Sequence, residues 1–134
     1  QSGQTVIIKT LGGLIMEITE LKTTPIDDKY WLVNEEYHYQ TSKGLVVVPK
    51  GFRTDYASVP RIFRNIINSY GKHGRAAVVH DWLYSNQCKI DITRAEADKV
   101  FLEIMKECGV GSIKRNLMYR MVRMFGASHF RKGE

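Results

Sequence analysis

Two polar clusters stand inside otherwise apolar runs. His80, Asp81 and Tyr84 lie in Ala-Ala-Val-Val-His-Asp-Trp-Leu-Tyr, and Arg53, Asp55, Ser58 and Arg61 lie in Gly-Phe-Arg-Thr-Asp-Tyr-Ala-Ser-Val-Pro-Arg. Ionisable groups are costly to bury unless they are paired, so each cluster needs either partners or a task. On a helix His80 and Tyr84, four apart, share a face, and Asp81 and Tyr84 are three apart. An imidazole that titrates near neutral pH beside a phenol and a carboxylate suits acid–base chemistry. Imidazole nitrogen and carboxylate oxygen also suit a divalent metal (calcium, magnesium or zinc), for which Asp81 and Asp55 are the candidate ligands. Asp98 borders the apolar stripe of the next expected helix. A helical hairpin would bring it to the His80 face, where a hydrogen bond would orient the ring. A His–Asp or Tyr–Asp pair between helices also commonly does no more than satisfy buried polar atoms.

The second cluster occupies a loop. Asp55 can cap a turn, ligate a cation or pair with Arg53 or Arg61, and Ser58 can cap a short helix opened by Val59-Pro60-Arg61. Placed over the His-Asp helix, Arg53, Ser58 and Arg61, with Arg75 and Tyr84 from the helix itself, would bind an anion, because guanidinium groups match phosphate bidentately. The N-terminus of the His-Asp helix, preceded by Lys72 and His73, would favour the same charge.

These groups must be held by an N-terminal sheet and C-terminal helices. Thr5–Lys9 is β-branched and reads as a strand, with Leu14–Thr19 as its hairpin partner across Gly12-Gly13. Residues 23–28 contain Pro25 and read as a loop. Tyr30–Gln40 reads as one strand, with Trp31, Val33, Glu35, Tyr37 and Tyr39 on one side, and Leu45–Val48 as the next strand after a turn at Gly44. Helices are expected from the short Val59 segment, from Arg75 to about Asn86, from the capping box Thr93-Arg94-Ala95-Glu96 to a stop at Gly109, and from a Ser112 cap onward. In the last helix Ile113, Leu117, Met121, Met124 and Phe125 are expected to face inward. The fold expected is therefore α+β: a small antiparallel sheet of about four strands packed on a bundle of three to four helices.

The 134 residues form one domain with room for a core, and 43% hydrophobic and 25% charged residues are ordinary for a globular chain. The opening Gln-Ser-Gly reads as a non-native addition, with the natural chain starting near Gln4. No run approaches a membrane span and no signal peptide is evident. Cys88 and Cys108 make neither a disulfide framework nor a zinc pattern, which points to a reducing, cytoplasmic setting. A net charge of +6 favours anionic partners. The alternation of aromatic and basic residues expected of a nucleic-acid groove is not evident. A homo-oligomer is left open.

Phe52-Arg53-Thr54-Asp55-Tyr56-Ala57-Ser58-Val59-Pro60, then His80-Asp81-Trp82-Leu83-Tyr84 and Ala97-Asp98-Lys99-Val100-Phe101, resemble a family of small phage and prophage proteins of uncharacterised function. The resemblance covers residues 45–126 and implies a phage origin, hence the host cytoplasm or the virion, and no particular activity. His-Asp-x-x-Tyr on a helix is also similar to phospholipase A2. That resemblance implies His80 as the base that activates water, Asp81 as a calcium ligand and Asp98 as the residue that orients the histidine. The glycine-rich calcium loop and flanking cysteines of that family are not recognisable here. The His-Asp pair is similar as well to metal-dependent phosphohydrolases of the HD type, but none of His38, His73 and His129 has a spacing that nominates it as a further ligand.

Three functions are therefore expected to compete. The first is a hydrolase acting on an anionic phosphoester such as a nucleotide signal, lipid or envelope component, with His80, Asp81, Asp98 and Asp55 as its catalytic set. The second is a non-catalytic protein that sequesters a small anionic ligand such as a host defence nucleotide. The third is a virion or assembly component.

Overall fold

A computed structural model describes residues 15–27, 30–54 and 72–131. Among the described residues six short strands precede three helices, an α+β fold as expected. The strands are β1 (Met16–Glu17), β2 (Thr23–Pro25), β3 (Trp31–Val33), β4 (Tyr37–Thr41), β5 (Gly44–Val48) and β6 (Arg53–Thr54). They form two antiparallel sheets of three strands, ordered β1-β4-β5 and β2-β3-β6, in place of a single four-stranded sheet.

The expected Tyr30–Gln40 strand is divided between the two sheets: Asn34 still continues the β2–β3 pairing, whereas from Tyr37 onward the chain pairs with β5. The Asn34 amide N–H donates to the Lys22 carbonyl at 2.8 Å and its Nδ2 to Thr24 Oγ1 at 2.8 Å. Glu35 turns outward towards Lys22, 3.2 Å away. Val33, Tyr37 and Tyr39 still face the core, as the alternation implies, while Glu35 is exposed. Residues 23–25, expected as a loop, pair with β3. Pro25 is tolerated there because β2 is an edge strand. Of the expected Leu14–Thr19 strand, Met16–Glu17 is observed, paired with β4. Thr5–Lys9 and the short helix at Val59 lie outside the described residues. β4 and β5 form a hairpin whose turn ends at Gly44, where φ is +108°.

The helices are α1 (Lys72–Tyr84), α2 (Arg94–Glu107) and α3 (Ser112–Phe125), followed by a 3₁₀ turn at Ala127–His129. Helix α1 is buried almost all round: Ala76, Ala77, Val78, Val79, His80, Leu83 and Tyr84 are all inside, against α2 on one side and β5 and β6 on another. Helix α2 starts with the expected capping box. Thr93 Oγ1 accepts from the Glu96 amide, and the Thr93 amide donates in turn to Glu96 Oε1 at 3.0 Å. Lys43, in the β4–β5 turn, donates to the same Glu96, holding its carboxyl down at about 2. The helix ends where Gly109 adopts φ +84°. The Gly109 and Val110 amides donate back to Lys106 and Met105, which satisfies the last carbonyls.

Helix α3 departs from expectation. Gly111, not Ser112, is its N-cap, and its buried residues are Met118, Met121 and Val122. Of the side chains expected inside, Met121 is buried, whereas Ile113 is 86% exposed, Met124 is 71% exposed, and Leu117 and Phe125 are also exposed. The periodicity was legible, but α3 rests on α2 along a face rotated away from its most apolar line.

Candidate functional site

The site is built around Asp98, which is fully buried at the meeting of all three helices. Position 98 lies on the buried stripe of α2, between Ala97 and Phe101, so folding of this amphipathic helix carries a carboxylate into the core. Asp98 Oδ1 accepts from His80 Nε2 at 2.7 Å and from the Tyr84 hydroxyl at 2.5 Å, both on α1. Oδ2 accepts from Arg123 Nη1 of α3 at 2.6 Å, and Arg94 Nη1 lies 3.6 Å from it. Burial by itself would raise the Asp98 pKa; the hydrogen bonds from His80, Tyr84 and Arg123 outweigh it and hold the carboxyl below its ordinary value. The Tyr84 phenol is pushed the other way, upward, by burial and by donation to Asp98.

A carboxylate only accepts hydrogen bonds, so the proton between it and His80 sits on Nε2. In that tautomer the basic nitrogen of the neutral ring is Nδ1. The ring is 1% exposed and is held between Tyr84 and Phe101, with centroids 4.2 and 4.7 Å away. The pairing expected of His80, Tyr84 and Asp98 is present.

Arg123 and Arg94 complete the network. Arg94 was legible in part, since it stands four residues before Asp98 on the same helix. It also donates to the Val122 and Arg123 carbonyls at 3.2 to 3.4 Å, closing the C-terminal end of α3. Arg123 had no local signal; its role depends on how α3 lies across α2.

Asp81, next to His80, turns to the opposite edge of α1. Thr54 Oγ1 of β6 donates to its Oδ2. Asp81 and Tyr84 line an open cleft of about 270 Å³, together with Ser85 and the cationic or ionisable side chains of Arg53, His129 and Arg131. Tyr30 and Phe52 supply its aromatic wall. The residues singled out from sequence thus divide. His80 and Asp98 are buried together, Tyr84 joins that pair to the cleft, and Asp81 and Arg53 line the cleft. His129 and Arg131 were missed, because the 3₁₀ turn brings the chain back over α1, where the Arg131 amide donates to the Tyr84 carbonyl at 2.8 Å.

Arg75 does not join them. Five residues from His80 turns it about 140° around the helix, and its Nε lies 3.4 Å from Glu17 Oε2. Asp55, Ser58 and Arg61 lie outside the described residues. Among the described residues no group of three or more His, Cys, Asp and Glu side chains could hold a metal ion, so Asp81 offers a single carboxylate there.

Gly126 fixes how closely α3 approaches Tyr84. A Cβ at Gly126 would stand 2.8 Å from the Tyr84 hydroxyl oxygen and would also crowd the Val122 carbonyl. Gly126→Ala is therefore expected to push the phenol off Asp98 and to lower stability by about 1–3 kcal/mol. Urea unfolding checks this, and Tyr84→Phe in the same background should recover part of the loss.

Residues 31–122 match the model of a family described as "Protein of unknown function (DUF1353)". Neither a curated protein nor a solved structure matches the chain.

Proposed function

We propose a hydrolytic role for this chain, which belongs to the DUF1353 family of proteins of unknown function: His80 acts as general base on a water, oriented by Asp98, and the substrate is an anionic phosphoester held in the adjoining cleft. The observation that carries the reading is the 2.7 Å bond from His80 Nε2 to a fully buried Asp98, itself fixed by Tyr84 and Arg123. A carboxylate so placed sets the tautomer and stabilises the imidazolium formed when Nδ1 takes a proton. It is the relation that the similarity of His80-Asp81-Trp82-Leu83-Tyr84 to phospholipase A2 implies. Arg53 and Arg131 would hold the phosphoryl oxygens. Asp81 would hold the attacking water or contribute one oxygen to a divalent cation that polarises the ester. A phage origin fits a substrate drawn from a host nucleotide signal, a lipid or the cell envelope.

The test is turnover of a broad phosphoester panel by the purified protein, with EDTA and with added calcium, magnesium or zinc. Hydrolysis of one class is expected. Its absence across the panel and all metals overturns the proposal.

A second reading, sequestration of a small anionic ligand without turnover, is favoured by one observation. The His80 ring is 1% exposed, whereas Arg53 and Arg131 line an open cleft and need no activated water to bind. Ligand recovered intact from the denatured complex selects this reading; ligand recovered cleaved selects the first.

A further inference from the structure

We propose that helix α3 is a docking face for an anionic lipid surface. Residues three and four apart on a helix fall along one line, and in α3 that line runs through Ile113, Leu117, Arg120 and Met124. The three apolar side chains on it are exposed, Ile113 at 86% and Met124 at 71%, and Phe125 extends the patch at the C-terminal end. Large apolar side chains gathered on one side of a surface helix mark a place where something apolar sits.

Charge selects which surface it is. Helix α3 carries Lys114, Arg115, Arg120 and Arg123 and has no Asp or Glu. No acidic residue follows Glu107 until Glu134, the last residue of the chain. Arg123 and Arg115 are engaged internally, with Asp98 and with the Val110 carbonyl. Lys114 lies beside the apolar line and Arg120 on it, and both are exposed. Aliphatic and thioether side chains bordered by cations fit an anionic headgroup layer, where the chains enter the acyl boundary and the cations stay at the headgroups. A second copy packed antiparallel on the same line would set each Arg120 guanidinium against the partner copy's apolar Leu117, and nucleic acid offers no acyl layer for exposed Ile113 and Leu117 to enter. No helix of the described residues is long and apolar enough to cross a membrane, so the contact is peripheral. The inference does not depend on the hydrolase reading, because its test measures partition and not turnover.

The test is co-sedimentation of the whole chain with vesicles of phosphatidylcholine alone and of phosphatidylcholine with phosphatidylglycerol. Binding to the anionic vesicles is expected, together with weak binding to the neutral ones and a loss at high salt. Ile113→Ser with Met124→Ser should lower the partition coefficient by on the order of tenfold or more, and Lys114→Glu with Arg120→Glu should abolish the preference for anionic vesicles. Circular dichroism should show both variants folded, since these side chains make no buried contact to lose. Failure to bind anionic vesicles overturns the proposal, as does equal binding by the Ile113/Met124 variant. So does a vesicle-free dimer that the same variant dissociates, which would give the face to a second copy, or retention on nucleic acid in place of vesicles.

Discussion

Asp98→Ala is expected to be the most damaging single substitution in the helical half, lowering stability by about 3–5 kcal/mol. The reason is what it leaves behind. His80, Tyr84 and Arg123 all donate to this carboxylate, and His80 and Tyr84 are buried with it. Removing the acceptor strands two buried donors and takes from the Arg123 guanidinium its carboxylate partner. Asp98→Asn keeps one acceptor oxygen but presents an amide N–H to donors, so it should fall between the wild type and Asp98→Ala. Chemical denaturation measures both, and an Asp98→Ala midpoint within the error of wild type would refute the account. The pH dependence gives a separate check. The folded Asp98 carboxyl lies below its ordinary value, so its contribution is fully present above the unfolded carboxylate pKa of about 4 and disappears as pH falls through the lowered folded value. Asp98→Asn should therefore flatten the acid limb of the stability profile.

His80→Gln is expected to separate folding from chemistry. The glutamine amide nitrogen can still donate to Asp98, so the carboxylate keeps this partner, but no basic nitrogen remains. Turnover of whichever phosphoester the wild type cleaves should drop by roughly 10²–10⁴-fold, with melting changed by only a few degrees. Retained turnover would remove His80 from the reaction. Equal loss of melting and turnover would make the network a purely structural one. His80→Ala is less informative, because it opens a cavity between Tyr84 and Phe101 and removes a donor from Asp98 at the same time.

The helical half was the more legible part of the sequence, and particular residues show why. Thr93 and Glu96 signal a helix start through contacts three residues apart, and Gly109 signals its end through its own backbone freedom. His80, Tyr84 and Asp98 could be brought together on paper because helix spacing and a hairpin fix their relation. What failed was non-local. Tyr30–Gln40 has the alternation of one strand, and only its partners divide it: Trp31–Val33 pairs with Thr23–Pro25 and Arg53–Thr54, and Tyr37–Thr41 pairs with Gly44–Val48. Arg123 reaches Asp98 only because of the angle at which α3 crosses α2. Ile113 and Met124 have the spacing of core residues and are exposed, because an apolar stripe states what a helix prefers to cover and not whether a neighbour covers it.

The meeting of three helices on one carboxylate also bears on how the molecule opens. Pulling α1 or α3 away leaves the buried Asp98 short of its donors or its cation, and pulling α2 away takes the carboxylate from His80, Tyr84 and Arg123 together. Partial detachment is therefore penalised at its first step, and the helical half should breathe as a single cooperative block, its slowest-exchanging amides shared among the three helices and not confined to one.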